Sequence, residues 1–352
     1  MEYVKKRYQI FLSAVIAMFF TLALSADSVC KIEKTTTGVK MIRGGKTLWN
    51  FEIDNPEGRP FFHPLALPSG KVFTDIRPKD HIWHLGYWFS WKYVNGVNYW
   101  EPADAKRQGV EPAGLTRVTK KRIDIKGLDC IVMLDLTYQA KEAKRPVLRE
   151  RRVVQIDPPD VNGGYIITVK HCFTANEDVV LDRTPPKGNP SNGKWSGGYA
   201  GPTLRLATDM AAAFKVRGFL GGKSAAEVTG TETNFLDFTD PKTGEGVIFT
   251  QISAPKTSRF YVWKDNRMIN ASPVYTDPIS LKKGENLDLS YRLKVHADNR
   301  MRVTKTRRPF ENLNRGLFAS VTSRGTYVSW RMLENDPLNL KIKGTHPSRI
   351  VR

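Results

Sequence analysis

The chain has 352 residues, a net charge of +20 and three cysteines, with 40% hydrophobic and 11% aromatic residues. This is enough apolar material for one large core or two smaller ones, while three cysteines exclude a disulfide scaffold and allow one bridge at most. A basic surface attracts any polyanion, and the excess is uneven: Arg300 to Arg352 holds 12 Lys and Arg against 3 Asp and Glu.

At the N-terminus, Lys5, Lys6 and Arg7 precede an apolar run from Ile10 to Leu24, with Ala23 and Ser25 placed for cleavage. The pattern predicts a secretory signal peptide over 1–26, and with it a secreted or periplasmic protein. The run is shorter than the ~20 residues a spanning helix needs, and no later segment approaches that length, so no membrane contact is expected beyond the leader. Export also argues against nucleic acid as partner, leaving an acidic glycan, or solubility alone, to account for the charge.

Residues Arg77 to Glu101 hold two of the six histidines and four of the eight tryptophans. Imidazoles and carboxylates move protons or ligate metals, and aromatic faces stack on sugar rings or fill cores. In a regular strand His81 and His84 would point to opposite faces, so both serve one site only if the chain turns between them. Pro78, Asp80 and Gly86 permit such a turn; the alternative is a core strand whose histidines are hydrogen-bonded.

Further along, Val132, Leu134, Leu136 and Tyr138 alternate with polar residues, and a turn at Lys126–Asp129 joins them to a strand through Ile123 and Ile125. Val147 to Ile156, Tyr165 to Thr174, Val247 to Ile252, Arg259 to Trp263 and Leu287 to Val295 read likewise, separated by turn clusters. Strands at this spacing predict an all-β fold, an antiparallel β-sandwich over 30–299. Thr208 to Val216 is the one predicted short helix. Cys130 and Cys172 both lie in strand-like segments and are the favoured pair for a bridge. His171 shares parity with Ile167, Val169 and Phe173, as a core histidine would, or as a third histidine beside His81 or His84 if that face binds ligand. The long segment from Arg183 to Gly201, with Trp195 and Tyr199, predicts a functional loop.

The succession Arg59-Pro60-Phe61-Phe62-His63-Pro64-Leu65, Arg77-Pro78-Lys79-Asp80-His81-Ile82-Trp83-His84-Leu85-Gly86 and Val94 to Trp100 resembles the bacterial family labelled PmoA-like. Gly197 to Gly201, Arg205 and Pro278 to His296 extend the resemblance. True membrane methane monooxygenase subunits are helix bundles, so that label is not taken as an activity. The two-histidine segment is instead similar to the site region of galactose mutarotase-like sandwiches, which implies histidines and a carboxylate handling protons on a sugar. Glu311 to Leu317 and Gly325 to Pro337 resemble the opening β-domain of family 11 rhamnogalacturonan lyases, which implies a pectin connection. That piece, within the basic tail 300–352, is too short to bury a core and is expected to be dispensable for the main domain.

The expected site therefore has His81, His84, Asp80 and Glu101 in proton transfer, with His63, Arg77, Trp83, His171, Tyr199 and Arg205 binding substrate. The favoured reading is a secreted protein of polysaccharide breakdown that binds or transforms a carbohydrate by epimerase, lyase or hydrolase chemistry, with an acidic polysaccharide implied by the basic charge and the lyase resemblance. A metal-dependent oxygenase-like protein, with a metal ion at the histidines and Asp80, and a non-catalytic carbohydrate-binding module are the alternatives. An exposed, flat aromatic platform without buried titratable groups would mark the last.

Overall fold

The computed structural model describes residues 29–101, 114–185, 197–213, 225–240, 242–263, 265, 267–297, 318–322 and 325–329. The leader, Trp195, residues 214–216 of the expected helix and most of the tail lie outside them. Two large antiparallel sheets dominate. One has eight strands in the order Cys30–Lys34, Gly38–Arg43, Lys46–Glu52, Phe61–Leu65, Tyr87–Ser90, Gly201–Arg205, Met268–Ser272 and Arg259–Trp263. The other has seven, in the order Phe235–Thr239, Gly246–Ser253, Asn286–His296, Tyr165–Ala175, Leu148–Ile156, Asp129–Ala140 and Gly114–Lys126. A small four-stranded sheet joins Ile279–Leu281, Val179–Asp182, Tyr93–Val94 and Val97–Asn98. The expected all-β sandwich is what forms. The predicted helix begins as a 3-10 turn over Thr208–Ala213, and among the described residues no helix is long and apolar enough to cross a membrane.

The sheets pack face to face because each long strand presents every second side chain inward. Val132, Leu134, Leu136 and Tyr138 are buried from the seven-stranded side, and Phe62, Tyr87 and Phe89 from the other. Ring contacts cross the interface: Phe89 lies 5.3 Å from Phe173, and Tyr87 lies 5.6 Å from Phe249. Phe61 and Trp88, each one residue out of phase with these, belong to a second apolar cluster with Trp83, Leu85, Trp100, Tyr199 and Met268. By strand alternation that cluster occupies the outer face of the eight-stranded sheet.

The cysteines correct one expectation, since all three are free thiols. Cys130 is aligned through Ile156 with Ile167, whereas Cys172 lies five residues further along the same strand, beside Arg151 and Asp288. Five residues of strand are roughly 16 Å, far beyond the ~7 Å limit for a bridge. Cys130 also faces the core, whereas Cys172 shares the outer face with exposed Arg151.

The chain divides into two units, Met1–Asn299 and Arg300–Arg352. In the second, Phe318–Thr322 pairs antiparallel with Gly325–Ser329 in a short hairpin.

Candidate functional site

Two successive tight turns answer the parity question. Ile76 bridges Leu85, and the Arg77 N–H donates to the His84 carbonyl at 2.8 Å, closing a narrow loop. Within it the His81 N–H donates to Pro78 O and the His84 N–H to His81 O, each at 2.9 Å. A chain that turns at every third residue brings side chains three apart to one side, and the two imidazoles lie 4.7 Å apart. Gly86, at φ +73°, then returns the chain to the sheet, where its carbonyl accepts the Arg205 N–H at 2.7 Å.

This register sets Arg205 between the loop's polar groups. Its Nη2 donates to both Asp80 oxygens, at 3.1 and 3.0 Å, and its Nη1 lies 3.2 Å from His84 Nδ1. A guanidinium only donates, so His84 Nδ1 is the acceptor and the ring is a neutral imidazole carrying its proton on Nε2. His81 Nδ1 lies 2.9 Å from Asp80 Oδ2. An ionised carboxylate only accepts, so His81 donates from Nδ1, and Nε2 is where it gains or loses a proton. The cluster grades from surface to interior: the Asp80 side chain is 47% exposed, that of His81 11%, and His84 is buried.

Partial burial pushes the Asp80 carboxyl up, but hydrogen bonds from Arg205 and His81, with the Arg205 charge, outweigh it and hold it at about 2. Burial, reinforced by the charges of His81 and Arg205, pushes His84 well below 6.5 against the opposing pull of Asp80. Burial likewise lowers His171. A group whose folded pKa is depressed contributes stability above its unfolded pKa and loses it as pH falls toward the folded value. The melting temperature is therefore expected to fall once pH drops below 6.5, with Asp80 adding to the loss below 3.8. Melting curves across that range check this, and a protein that melts higher at about pH 5 than at about pH 7 contradicts it.

The aromatics form the walls. Trp83 and Trp263 stand edge-on to His81 at 5.1 and 5.5 Å, and Trp88 lies 5.2 Å from His84. Trp100 continues to Tyr199 at 4.9 Å, and Tyr199 to Tyr261 at 5.9 Å. Trp83, Tyr199 and Arg205 thus join His81, His84 and Asp80, as the sequence suggested.

Four other expected residues have their side chains engaged by partners outside this cluster. Glu101 is buried and accepts from Lys92 at 2.5 Å and Asn98 at 2.8 Å, so both neighbours already occupy its Oε2. His171 is buried between the sheets, bonded to Glu150 at 2.7 Å and packed on Phe89 at 4.4 Å. Phe89 and Trp88 point to opposite faces of one strand, which puts His171 and His84 on opposite sides of it. His63 is bonded to Thr74 Oγ1 at 3.0 Å, and Arg77 is paired with Glu57 at 2.7 Å and lies over Phe61. Sequence reasoning missed Arg59, buried with its Nη1 donating to Trp100 O at 2.5 Å. Its only local signal was a charge set before the apolar run Pro60 to Phe62.

The residues do not suit a metal ion. Among the described residues no three His, Cys, Asp or Glu side chains are grouped as ligands. Arg205, moreover, puts a fixed positive charge in contact with both His84 and Asp80, where a cation would be repelled. Of the cavities, a groove of about 880 Å3 runs past Glu232 to Phe235 and Gln251 to Arg259. A void of about 20 Å3 lies between the sheets beside Arg152 and His171, room for about one water. Neither includes Asp80, His81 or Arg205.

Fold and site together define an antiparallel β-sandwich with an Asp–His–Arg cluster set in an aromatic enclosure on the outer face of one sheet. Residues 38–308 match DUF6807, a family of unknown function, and the chain belongs to that family. No curated protein matches it. The match carries no activity and extends neither to the PmoA label nor to the lyase-like segment from Glu311 onward.

Proposed function

We propose that the protein binds a sugar and moves a proton on it, outside the cytoplasm, in the breakdown of polysaccharide. The observation that carries this reading is the Asp80–His81 contact, tied through Arg205 to the buried neutral His84. Asp80 fixes the His81 tautomer, which leaves Nε2 as the nitrogen to take or return a proton. His84, held neutral by burial, then presents Nε2–H as a donor. Such a pair, one group exchanging a proton and one holding it, suits epimerisation or elimination at a carbon bearing oxygen. The indole walls suit the apolar face of a sugar ring, as the resemblance to mutarotase-like sandwiches also suggests. A non-catalytic module is disfavoured because Trp88 and Trp100 are buried against titratable groups and form no exposed platform.

The test is incubation of the full chain with hexoses, uronic acids and their oligomers in heavy water, followed by proton NMR. Accelerated ring interconversion, unsaturated product or deuterium entry at carbon is expected with at least one sugar. His81→Gln, which cannot exchange a proton, is expected to lose roughly 10²–10⁴-fold of that rate. Absence of any effect with every sugar, or an unaffected variant, rejects the reading.

A further inference from the structure

We infer that the sugar carries a carboxylate and that Arg59, with Trp88 and His84, receives it. This rests on the sugar-binding reading of the site and names its substrate class. Arg59 is 3% exposed, Arg205 1% and Trp88 2%. Arg59 Nη2, Arg205 Nε and Trp88 Nε1 are each buried without a hydrogen-bond partner in the protein, and the first two are the only guanidinium atoms in that state among the described residues. Buried N–H groups are otherwise paired in the great majority of cases, and an unpaired charged donor is among the costliest groups to bury. All three lie around His84: Arg205 is 3.2 Å from its Nδ1, the Trp88 ring is tilted against it at 5.2 Å, and Arg59 is bonded to the carbonyl of Trp100, whose ring stands edge-on to His84 at 6.4 Å. With His84 Nε2–H, the neighbourhood offers donors in surplus.

Each of its carboxylates already receives another donor. Asp80 already receives Arg205 and His81. Glu101 receives Lys92 and Asn98, and Glu57 is paired through Oε1 with Arg77, although its Oε2 has no partner. Among the described residues Arg59 has no ion pair within 4.0 Å, and burial, against the pull of Glu57 and Glu101, lowers its pKa to about 10. A carboxylate supplies a negative charge and two oxygens with about four acceptor positions, which a guanidinium edge and an indole N–H fit. A neutral hydroxyl accepts a bond without neutralising the charge and needs an acceptor of its own. The net charge of +20 favours an acidic sugar as well.

The full chain titrated with galactose, galacturonate, oligogalacturonate and acetate, read by tryptophan fluorescence, tests this. Galacturonate is expected to bind at least tenfold tighter than galactose. Arg59→Met is expected to erase that gap, and Arg59→Lys, which keeps charge but loses the fork, to narrow it several-fold. Should Arg59→Met fail to fold in a melting assay, Arg59→Lys decides: an unaltered gap overturns the inference. Equal binding of acid and neutral sugar also overturns it and leaves the sugar reading standing, whereas no binding of any sugar ends both. Acetate binding as tightly as galacturonate shows a simple anion site and overturns it too. Monomer and oligomer arms separate a free uronate from a chain end.

Discussion

Glu150→Ala is expected to cost about 3–5 kcal/mol of stability, the range for a buried ion pair that loses one partner. The Glu150 side chain is wholly buried between the sheets. It accepts from Arg152 Nε at 2.5 Å and Nη2 at 2.9 Å, from Tyr138 Oη at 2.5 Å and from His171 Nδ1 at 2.7 Å. Burial pushes its carboxyl up, but Arg152 and His171 more than offset this and hold it below the ordinary range. Truncation strands three donors in the apolar interior, one a permanent cation. Arg151→Ala is the control one residue away: that side chain is 75% exposed, and its pair with Asp135 at 3.2 Å is worth well under 1 kcal/mol. Urea denaturation of both variants measures the contrast. A Glu150→Ala loss no larger than that of the control means that Arg152 finds another acceptor and that the network does not hold the sheets together.

That network also shows what was legible in the sequence. Leu148, Glu150, Arg152, Val154 and Ile156 share one parity and are all buried, so a carboxylate and a guanidinium stood in an apolar register beside a histidine already noticed on the paired strand. The wet-faced strands of the seven-stranded sheet announced themselves by alternation. By contrast, Tyr87–Ser90, Gly201–Arg205 and Met268–Ser272 are buried at every position, because the outer aromatic cluster covers their second face, and a strand covered on both faces has no period to read. The site was half legible for the same reason. Residues close in sequence, Asp80, His81, Trp83 and His84, declared themselves by density and turn chemistry. Arg59 comes to them only through tertiary packing, and Glu101, adjacent to the same window, is captured by Lys92 across the hairpin of Tyr93–Val94 and Val97–Asn98.

Gly86→Ala is expected to destabilise the protein by about 3 kcal/mol or more and to dismantle the site with it. Two effects add. At φ +73° an L side chain is strained whatever surrounds it. A Cβ there would also lie 2.2 Å from the Phe62 carbonyl oxygen and 3.1 Å from His63 Cβ, and the first contact is with backbone of the neighbouring strand, which cannot swing away as a side chain would. Relief requires the two strands to part. The Gly86 carbonyl holds the Arg205 N–H at 2.7 Å, so parting them also moves the guanidinium that bridges Asp80 and His84. Gly96→Ala separates the terms: its φ of +76° imposes similar strain, but nothing lies within 4 Å of the added methyl, so about 1 kcal/mol is expected. In melting experiments Gly86→Ala should lose roughly 6 °C or more and Gly96→Ala roughly 2 °C. On the proposed sugar-binding reading, quenching of tryptophan fluorescence by galacturonate should vanish in the first and persist in the second. Equal losses in the two variants would mean that the strands absorb the methyl without parting, and that the hinge after His84 does not set the position of Arg205.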